Sequence, residues 1–142
     1  MKKLIVIAAV GKNNELGKNN DLIWHIKGDM KFFKEQTTGH HVVMGRNTYF
    51  SLPKMLPNRT HLVLNDIDSE FPDEVIVVRS IDEFFDKAKD INDDIYVIGG
   101  AYVYSQFVPY ADEIILTEID DECLDADVYF PKLDYNLYDR II

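Results

Sequence analysis

A predicted strand passes directly into a predicted helix at Ile95-Tyr96-Val97-Ile98-Gly99-Gly100-Ala101-Tyr102-Val103-Tyr104. The apolar run before the glycines is typical of a buried strand, and the run after them continues as a helix until Pro109. Two glycines at such a turn leave backbone N–H groups bare at the helix N-terminus, because no Cβ keeps a ligand away from them. This stretch therefore predicts a site for an anion such as a nucleotide pyrophosphate.

Short apolar runs rich in β-branched residues recur along the chain and alternate with helix-like segments. The runs predict strands at Leu4–Val10, His41–Met44, His61–Leu64, Val75–Val78, Ile95–Ile98 and Glu113–Ile119. The helix-like segments are Asp29–Gln36, Thr48–Leu52, a stretch that follows the capping box of Ser80 and Glu83, and Ala101–Phe107. This alternation predicts one α/β domain, with a central, mostly parallel, twisted sheet flanked by about four helices.

Composition narrows the class of function. The chain has 142 residues, 46% of them hydrophobic, which is enough for a single domain with its own core. Its net charge of −10 disfavours a general binder of nucleic acid or of anionic membranes, since such proteins present a basic face. The only cysteine, Cys123, excludes an intrachain disulfide, and no apolar run is long enough to span a membrane.

Several catalytic and metal-binding patterns are missing from the sequence. No histidine has a second ligand residue at a spacing typical of metal sites, so no metal is expected. The GxSxG pattern of serine hydrolases and the P-loop pattern do not occur either. The polar segment Gly11–Asp21, rich in asparagine and glycine, has the composition of a functional lid, although an ordinary surface loop explains it equally well.

Seven segments, in this order and spacing, resemble those of the bacterial-type dihydrofolate reductases. They are Ile7-Ala8-Ala9, the block Gly17…Trp24…Asp29, Met44-Gly45-Arg46-Asn47-Thr48, Leu56-Pro57-Asn58-Arg59, Ile98-Gly99-Gly100-Ala101 with Val103-Tyr104, Leu116-Thr117, and Asp127 with Phe130-Pro131. Each motif is modest alone, but together they are highly specific and cover most of the chain. The resemblance implies a dihydrofolate reductase-like domain over residues 1–142 and a cytoplasmic enzyme.

The resemblance also implies a reaction and its ligands. The expected activity is NADPH-dependent reduction of 7,8-dihydrofolate to 5,6,7,8-tetrahydrofolate, in support of one-carbon and thymidylate metabolism. Hydride would pass from C4 of NADPH to C6 of the substrate while N5 is protonated, and antifolates would bind the same pocket. The protein would stack nicotinamide against pterin and exclude water, with Gly11–Asp21 closing over the nicotinamide. Neither nucleic acid nor membrane is an expected partner.

Asp29 is the catalytic carboxylate that the resemblance implies. Alone, an acidic residue in the first turn of a helix is more often there for the helix dipole. In the family, the matching carboxylate accepts hydrogen bonds from the pterin's amino group and ring N–H, and apolar walls around it would raise its pKa. The resemblance implies that Trp24 would wall the pocket and that Thr117 would hold the carboxylate in place. The implied substrate-binding set is Ile7, Ala8, Ala9, Asp29, Met30, Phe33, Leu52, Arg59, Ile98 and Thr117.

Charged residues are also expected to bind the ends of the ligands. Arg59 resembles the arginine that binds the α-carboxylate of the substrate's glutamate tail, a group that suits a guanidinium fork. Gly99–Ala101 would receive the cofactor's pyrophosphate, and the family carries a cis peptide between the two matching glycines. Arg46 and Arg79 are candidates for the 2′-phosphate of NADPH. The implied cofactor-binding set is Ala9, Leu16, Gly17, Gly45, Arg46, Asn47, Thr48, Arg79, Ile98, Gly99, Gly100, Ala101, Tyr102, Val103 and Tyr104.

The sequence departs from the family's usual pattern in four places. Ile23 replaces a proline and Lys27-Gly28 replaces a common Pro-Glu or Pro-Ala, and both changes alter stiffness more than chemistry. Asp66 lies near the expected 2′-phosphate, where an acidic residue opposes a strict preference for NADPH over NADH. The chain ends at Ile142, where relatives continue with a β-hairpin, so the strand Glu113–Ile119 is expected to present an open apolar edge. The resemblance implies a monomer, but with this open edge the chain is expected either to be marginally stable or to associate with another molecule through the edge.

Two other interpretations remain open at this point. A pyrimidine reductase of riboflavin synthesis uses the same scaffold, although Trp24, Asp29 and Arg59 argue against it. A truncated fragment that binds nucleotide without turnover is the second alternative, and the absent hairpin favours it. Binding of methotrexate or trimethoprim would test the first alternative, and NADPH consumption with dihydrofolate would test the second.

Overall fold

The structure is a computed structural model that describes residues 1–18, 21–22, 27–52, 55–65, 71–119, 126, 128–133 and 138. The strands are β1 (Leu4–Val10), β2 (Glu15–Lys18), β3 (Asp21–Leu22), β4 (His41–Gly45), β5 (Thr60–Leu64), β6 (Ile76–Val78), β7 (Ile95–Val97), β8 (Glu113–Glu118) and β9 (Val128–Tyr129). The helices are α1 (Lys27–Thr37), α2 (Arg46–Ser51), α3 (Ile81–Ala88) and α4 (Ala101–Phe107), and a 3₁₀ turn follows α4 at Val108–Tyr110. The bounds of the elements predicted from sequence differ from these by at most two residues, which is the usual uncertainty at element ends.

Six strands form the main sheet, and they lie in the order β6-β5-β4-β7-β1-β8. Every neighbouring pair in this sheet is parallel. The prediction of an α/β domain with a mostly parallel sheet and about four helices is therefore confirmed. Because the strands are parallel, their carboxyl ends all lie at the same end of the sheet. Ligands bind at this C-terminal end of the sheet in folds of this class.

An apolar core lies on each face of the main sheet. On one face, α3 and α4 pack through Phe84 and Phe107, whose ring centroids are 4.8 Å apart. On the other face, Phe33 of α1 and Tyr49 of α2 pack against the strands. Coverage on both faces explains why the strand sequences are continuous apolar runs rather than alternating ones.

The segment Gly11–Asp21, predicted as a loop, contains a strand. β2 pairs antiparallel with both β3 and β9 in a separate three-stranded sheet. The Glu15 side chain is fully buried, and its carboxylate accepts the N–H of Asn13 at 2.6 Å. The prediction of a loop was wrong for Glu15–Lys18, because this stretch has no β-branched residue and acquires its strand conformation from its partners.

β8 forms one edge of the main sheet. Its residues are in register with β1 from Ile5↔Glu113 to Val10↔Glu118, and within the described ranges no strand pairs with its other side. Ile114–Thr117 are half-buried. The open edge that the sequence predicted, and self-association through it, both stay predictions. None of the described helices is long and apolar enough to cross a membrane.

Candidate active site

The glycine pair lies where β7 leaves the sheet. Gly99 has a φ of +129°, a region that residues with a Cβ rarely adopt, and the peptide bond between Gly99 and Gly100 is cis, as expected. A Cβ built on Gly99 would lie 3.6 Å from both Thr48 Oγ1 and Tyr104 Oη. Gly99 is buried, so a side chain at this position would have to pack against Thr48 and Tyr104.

The same turn joins the N-terminal ends of α2 and α4. The N–H of Gly45, the residue before α2, donates to the carbonyl of Gly99 at 2.9 Å. Thr48 Oγ1, in the first turn of α2, lies 3.5 Å from the position of a Cβ on Gly100. A Cβ on Gly45 would approach Cγ2 of Val103 to 3.0 Å, so α4 packs closely against the start of α2.

Both helices begin without a capping side chain. The residues at the N-cap positions are Gly45 and Gly100, and neither first turn contains an acidic residue. The first N–H groups of a helix have no partner within the helix, and the macrodipole adds partial positive charge there. The two helix ends therefore combine N–H donors and positive potential at one place at the C-terminal end of the sheet, which suits an anionic group.

Tyr104 connects this turn to β1. Its hydroxyl donates to the carbonyl of Ile7 at 2.8 Å in a buried position. Its ring lies 5.0 Å, centroid to centroid, from the ring of Phe130. The hydrogen bond between Tyr104 and Ile7 brings a residue predicted to bind cofactor next to one predicted to bind substrate.

β1 and β8 supply one apolar wall. Ile7 is in register with Ile115, and Ala9 is in register with Thr117. Since side chains alternate along strands, these four residues share one face of the sheet. Ile7 and Ile115 belong to the core on which Phe33 also packs, so this is the face that α1 covers. Leu52 and Ile98 pack against the same core.

Other predicted residues lie elsewhere. Ala8 and Leu16 are buried in the core on the face of α3 and α4, so the side chain of Ala8 points away from the predicted substrate pocket. The role of Ala8 in binding substrate stays a prediction, and its backbone rather than its side chain would have to make the contact. Asn47 is exposed, and Tyr102 retains 70% of its accessible surface.

Asp29 is the third residue of α1, as expected for a residue in a first helical turn. The structure does not describe its side chain, nor those of Gly17 and Met30. Trp24 and Asp66 lie wholly outside the described residues. The roles assigned to these five residues from the sequence stay predictions.

Arg59 is a half-buried cation at the end of the turn before β5. Its Nε donates to the carbonyl of Pro57, and its Nη1 donates to Thr37 Oγ1, both at 3.1 Å. Burial lowers the pKa of its guanidinium. In the described ranges no carboxylate pairs with it, although the chain carries a net charge of −10. A partly desolvated guanidinium held in this way suits an external carboxylate.

Arg46 and Arg79 follow the carboxyl ends of β4 and β6, so both lie at the C-terminal end of the sheet, where ligands bind in folds of this class. Both are exposed. The guanidinium carbon of Arg46 lies 5.6 Å from the ring centroid of Phe50, one turn along α2. The backbone N–H of Arg79 donates to the carboxylate of Glu83 at 3.0 Å. Glu83 thus completes the predicted capping box at Arg79, one residue before the N-cap Ser80.

Sequence reasoning missed two fully buried polar side chains beside Arg59. Thr37 Oγ1 donates to the carbonyl of Phe33 at 2.9 Å and accepts from Arg59. His61 Nε2 accepts the N–H of Leu56 at 3.1 Å, and its Nδ1 donates to the carbonyl of Arg59 at 3.2 Å. The sequence offered one signal, a histidine within the apolar run of β5.

A cleft of about 350 Å³ opens beside the predicted site, at the ends of β1 and β8. It is lined by Val10, Gly11, Lys12, Asn14, Leu116, Glu118 and Ile119. It shares no residue with the predicted substrate or cofactor sets. Among the described side chains, no cluster of three or more metal-ligating groups occurs.

Comparison with known proteins gives consistent matches. A sequence model of the family described as dihydrofolate reductase matches residues 3–141. The dihydrofolate reductase of Bacillus subtilis is 40% identical over 129 residues, which are 90% of this chain and 75% of that protein. The dihydrofolate reductase of Haemophilus influenzae is 38% identical over 130 residues, 92% of this chain and 79% of that protein.

A solved structure matches the fold as well. It is the dihydrofolate reductase from Enterococcus faecalis complexed with NADP(H) and RAB-propyl, at a TM-score of 0.86 and 32% identity. The match covers 94% of this chain and 80% of that chain.

Proposed function

Because the chain belongs to the dihydrofolate reductase family over residues 3–141, we propose that it reduces 7,8-dihydrofolate to 5,6,7,8-tetrahydrofolate with NADPH. The observation that carries this proposal is the meeting of two uncapped helix N-termini at Gly45 and Gly100. The solved relative from Enterococcus faecalis holds NADP(H), which supports the same class of cofactor here. The relatives are dihydrofolate reductases, which favours this function over a pyrimidine reductase of riboflavin synthesis.

The residues at the glycine turn fit a dinucleotide. NADPH, when bound, supplies the hydride for the reduction. We assign the pyrophosphate to the backbone of Gly100, which is half-buried, whereas Gly99 is buried and sets the conformation of the turn. Thr48 Oγ1 lies beside both glycines and adds a hydroxyl donor. We assign Arg46 and Arg79 to the 2′-phosphate, since both lie at the C-terminal end of the sheet, as the glycine turn does.

The substrate pocket is assigned to the space between α1 and the strands β1 and β8. Ile7, Ala9 and Ile115 form an apolar wall that excludes water from a planar ring. We assign Asp29 to the pterin's amino group and ring N–H, and Thr117 to the support of that carboxylate. The proton that reaches N5 is assigned to water, with Asp29 polarising the ring from its far end.

Arg59 is assigned to the α-carboxylate of the substrate's glutamate tail. A guanidinium has five N–H groups, and two of them are used in bonds to Pro57 and Thr37. Three N–H groups remain, and a carboxylate accepts two hydrogen bonds from such a fork. The described residues bring no carboxylate of the protein to this guanidinium, which supports an external anion as its partner.

The direct test is an absorbance assay of NADPH oxidation with dihydrofolate. Turnover that needs both compounds is the expected result, and methotrexate should inhibit it. An Asp29→Asn variant distinguishes enzymatic turnover from background oxidation, and Glu35→Gln, an exposed change on the same helix, is the matched control. A folded protein that binds NADPH but gives no turnover would support the alternative of an inactive nucleotide-binding chain.

A further inference from the structure

The turn that carries Arg59 is fastened to a buried histidine. His61 has no accessible surface, although it lies in β5 next to the turn. The N–H of Leu56 can only donate, so His61 Nε2 is the acceptor and the ring proton lies on Nδ1. That proton is donated to the carbonyl of Arg59 itself. One imidazole therefore bridges the two ends of the segment Leu56–Arg59.

We propose that His61 is a positioning residue that holds this turn, so that the Arg59 guanidinium faces the tail carboxylate of the substrate. The inference rests on the proposed function and deepens it, because it explains how the chain selects a substrate with an anionic tail. No hydrogen bond joins His61 to the guanidinium directly; the imidazole acts through the Arg59 carbonyl and the Leu56 N–H.

The guanidinium is held from a second side by α1. Thr37 is fully buried, and its hydroxyl donates to the carbonyl of Phe33, which leaves its oxygen to accept from Arg59 Nη1. The turn is held in a third place, where the carbonyl of Asn58 accepts the N–H of Gly39 at 2.7 Å. Asn58 has a φ of +59°, so the turn has a tight, defined backbone conformation. Backbone and side chain of Arg59 are thus both fixed before any ligand arrives.

Protonation of His61 would remove this function. A protonated Nε2 becomes a donor that faces the Leu56 N–H, so one of the two bonds across the turn is lost. The titratable groups that face His61 are Arg59 from the turn and Tyr49 from α2, whose ring centroid is 6.5 Å away. β4 presents Val42 in register with it, and no carboxylate contacts the imidazole among the described residues. Burial, and to a smaller extent the charge of Arg59, lower the pKa of His61.

The test compares two substrates that share one ring. Dihydrofolate carries the anionic tail and 6-methyl-7,8-dihydropterin lacks it, so effects on the pterin pocket cancel in the ratio of their kcat/KM values. His61→Leu, which removes both hydrogen bonds, should lower this preference for the tailed substrate about threefold to tenfold. The change should appear in KM for dihydrofolate, with kcat for the tail-free substrate preserved. Val63→Leu, a change on the same face of β5, is the control for altered packing.

His61→Asn provides rescue and a pH profile. Its amide can accept from Leu56 and donate to Arg59, so it should retain more of the preference than His61→Leu, and it does not titrate. In the wild type the preference should stay constant near pH 6.5, the ordinary pKa of histidine, and fall only at lower pH, because burial lowers the pKa of His61 in the folded protein. This fall should be absent in His61→Asn. If His61→Leu does not fold, the pH profiles of the wild type and His61→Asn still decide the matter.

Three outcomes separate this inference from the proposed function. If neither substrate is reduced, the proposed function is wrong. If Arg59→Gln leaves the preference unchanged, the assignment of Arg59 to the tail is wrong, and the role of His61 falls with it. If Arg59→Gln lowers the preference but His61→Leu leaves it unchanged, or if the wild type and His61→Asn share one pH profile, only the inference about His61 is overturned.

Discussion

The hydroxyl of Tyr104 donates to the carbonyl of Ile7 across 2.8 Å, and this buried bond ties α4 to β1. Ile7 also lines the wall assigned to the pterin, and Tyr104 lies beside Gly99 at the turn assigned to the cofactor. One hydrogen bond therefore fixes the distance between the two assigned binding regions.

Tyr104→Phe should both destabilise the protein and weaken cofactor binding. The change leaves the carbonyl of Ile7 without this buried donor, which should lower the free energy of unfolding by about 1–2 kcal/mol. Urea unfolding measures this loss, and NADPH titration measures the binding. Tyr110→Phe is the matched control, because Tyr110 is an exposed tyrosine at the end of the 3₁₀ turn. Equal stability of the two variants would contradict the prediction.

Asp29→Asn should keep NADPH binding and reduce turnover about a hundredfold or more, as expected when a group that assists proton transfer is lost. It should also abolish the rise in rate at low pH that a single titrating carboxylate produces. Steady-state rates measured between pH 5 and pH 9 test both points. Near-normal activity of the variant at neutral pH would show that Asp29 is not the catalytic carboxylate.

Gly45→Ala should disturb the junction of α2 and α4. Its Cβ would meet Val103 Cγ2 at 3.0 Å, closer than packed side chains tolerate. The expected cost is about 1–3 kcal/mol of stability, together with weaker NADPH binding, since the glycine turn must shift. Adding Val103→Ala removes the opposing methyl group and should restore part of the binding. If the double variant binds NADPH no better than Gly45→Ala alone, steric overlap is not the cause.

Arg46→Ala should weaken NADPH binding about tenfold to a hundredfold while NADH binding changes little, because only NADPH carries the 2′-phosphate that a guanidinium would bind. Titration of the free protein with each cofactor provides the measurement. Lys89→Ala, an exposed cation paired with Asp86, controls for the change in net charge. Equal losses for both cofactors would show that Arg46 does not contact this phosphate. A wild type that prefers NADH would implicate Asp66.

Asp93 should make stability depend on pH in the acid range. Its carboxylate accepts hydrogen bonds from the Nδ1 atoms of His40 and His41, at 2.6 and 2.8 Å. Burial alone would raise the pKa of Asp93, but hydrogen bonds from His41, His40 and the N–H of Asp94 lower it below its ordinary value. A lowered pKa in the folded state means that the stabilisation is complete above the unfolded pKa, about 3.9, and is lost as the pH falls through the folded value.

Asp93→Asn should therefore lose about 1–3 kcal/mol of unfolding free energy at pH 7. The difference from the wild type should shrink as the pH falls below about 4, where the carboxyl group of the unfolded chain takes up a proton, and should be smallest below the lowered pKa of folded Asp93. Asp90→Asn, an exposed change just after α3, is the control. A difference that is independent of pH would point to packing rather than to the charge of the carboxylate.

Most elements of the fold could be predicted from local patterns in the sequence. Leu4–Val10 is a continuous apolar run because both faces of the main sheet are covered, and this makes a buried parallel strand visible in the sequence. Glu15–Lys18 has no such run, and it is a strand only because Val128–Tyr129 and Asp21–Leu22 pair with it. The predicted start of α2 at Thr48 was late because Gly45, rather than a residue with a capping side chain, precedes the helix.

In the predicted site, too, features set by adjacent residues could be predicted from the sequence, and features set by residues distant in sequence could not. The turn at Gly99 and Gly100 was predictable, since its backbone requirement is written into adjacent residues. The side chains that hold Arg59 could not be predicted, because Thr37 lies in α1, distant in sequence from the turn of Arg59, and a side-chain hydrogen bond leaves no periodic pattern. The role of Ala8 stays a prediction, and alternation along β1 places its side chain in the core on the opposite face of the sheet.

The position of β7 also bears on the order in which the protein folds. β1 and β4 are not neighbours in the sheet; each pairs with β7, which is made after β4, β5 and β6. During synthesis, β4–β6 can pair with one another early, whereas β1 has no strand to join until Val97 has emerged. Contacts so distant in sequence form slowly. The sheet is therefore complete only after β7 has inserted between β1 and β4. Mutations that slow this insertion should lengthen the time for which β1 is unpaired and prone to aggregate.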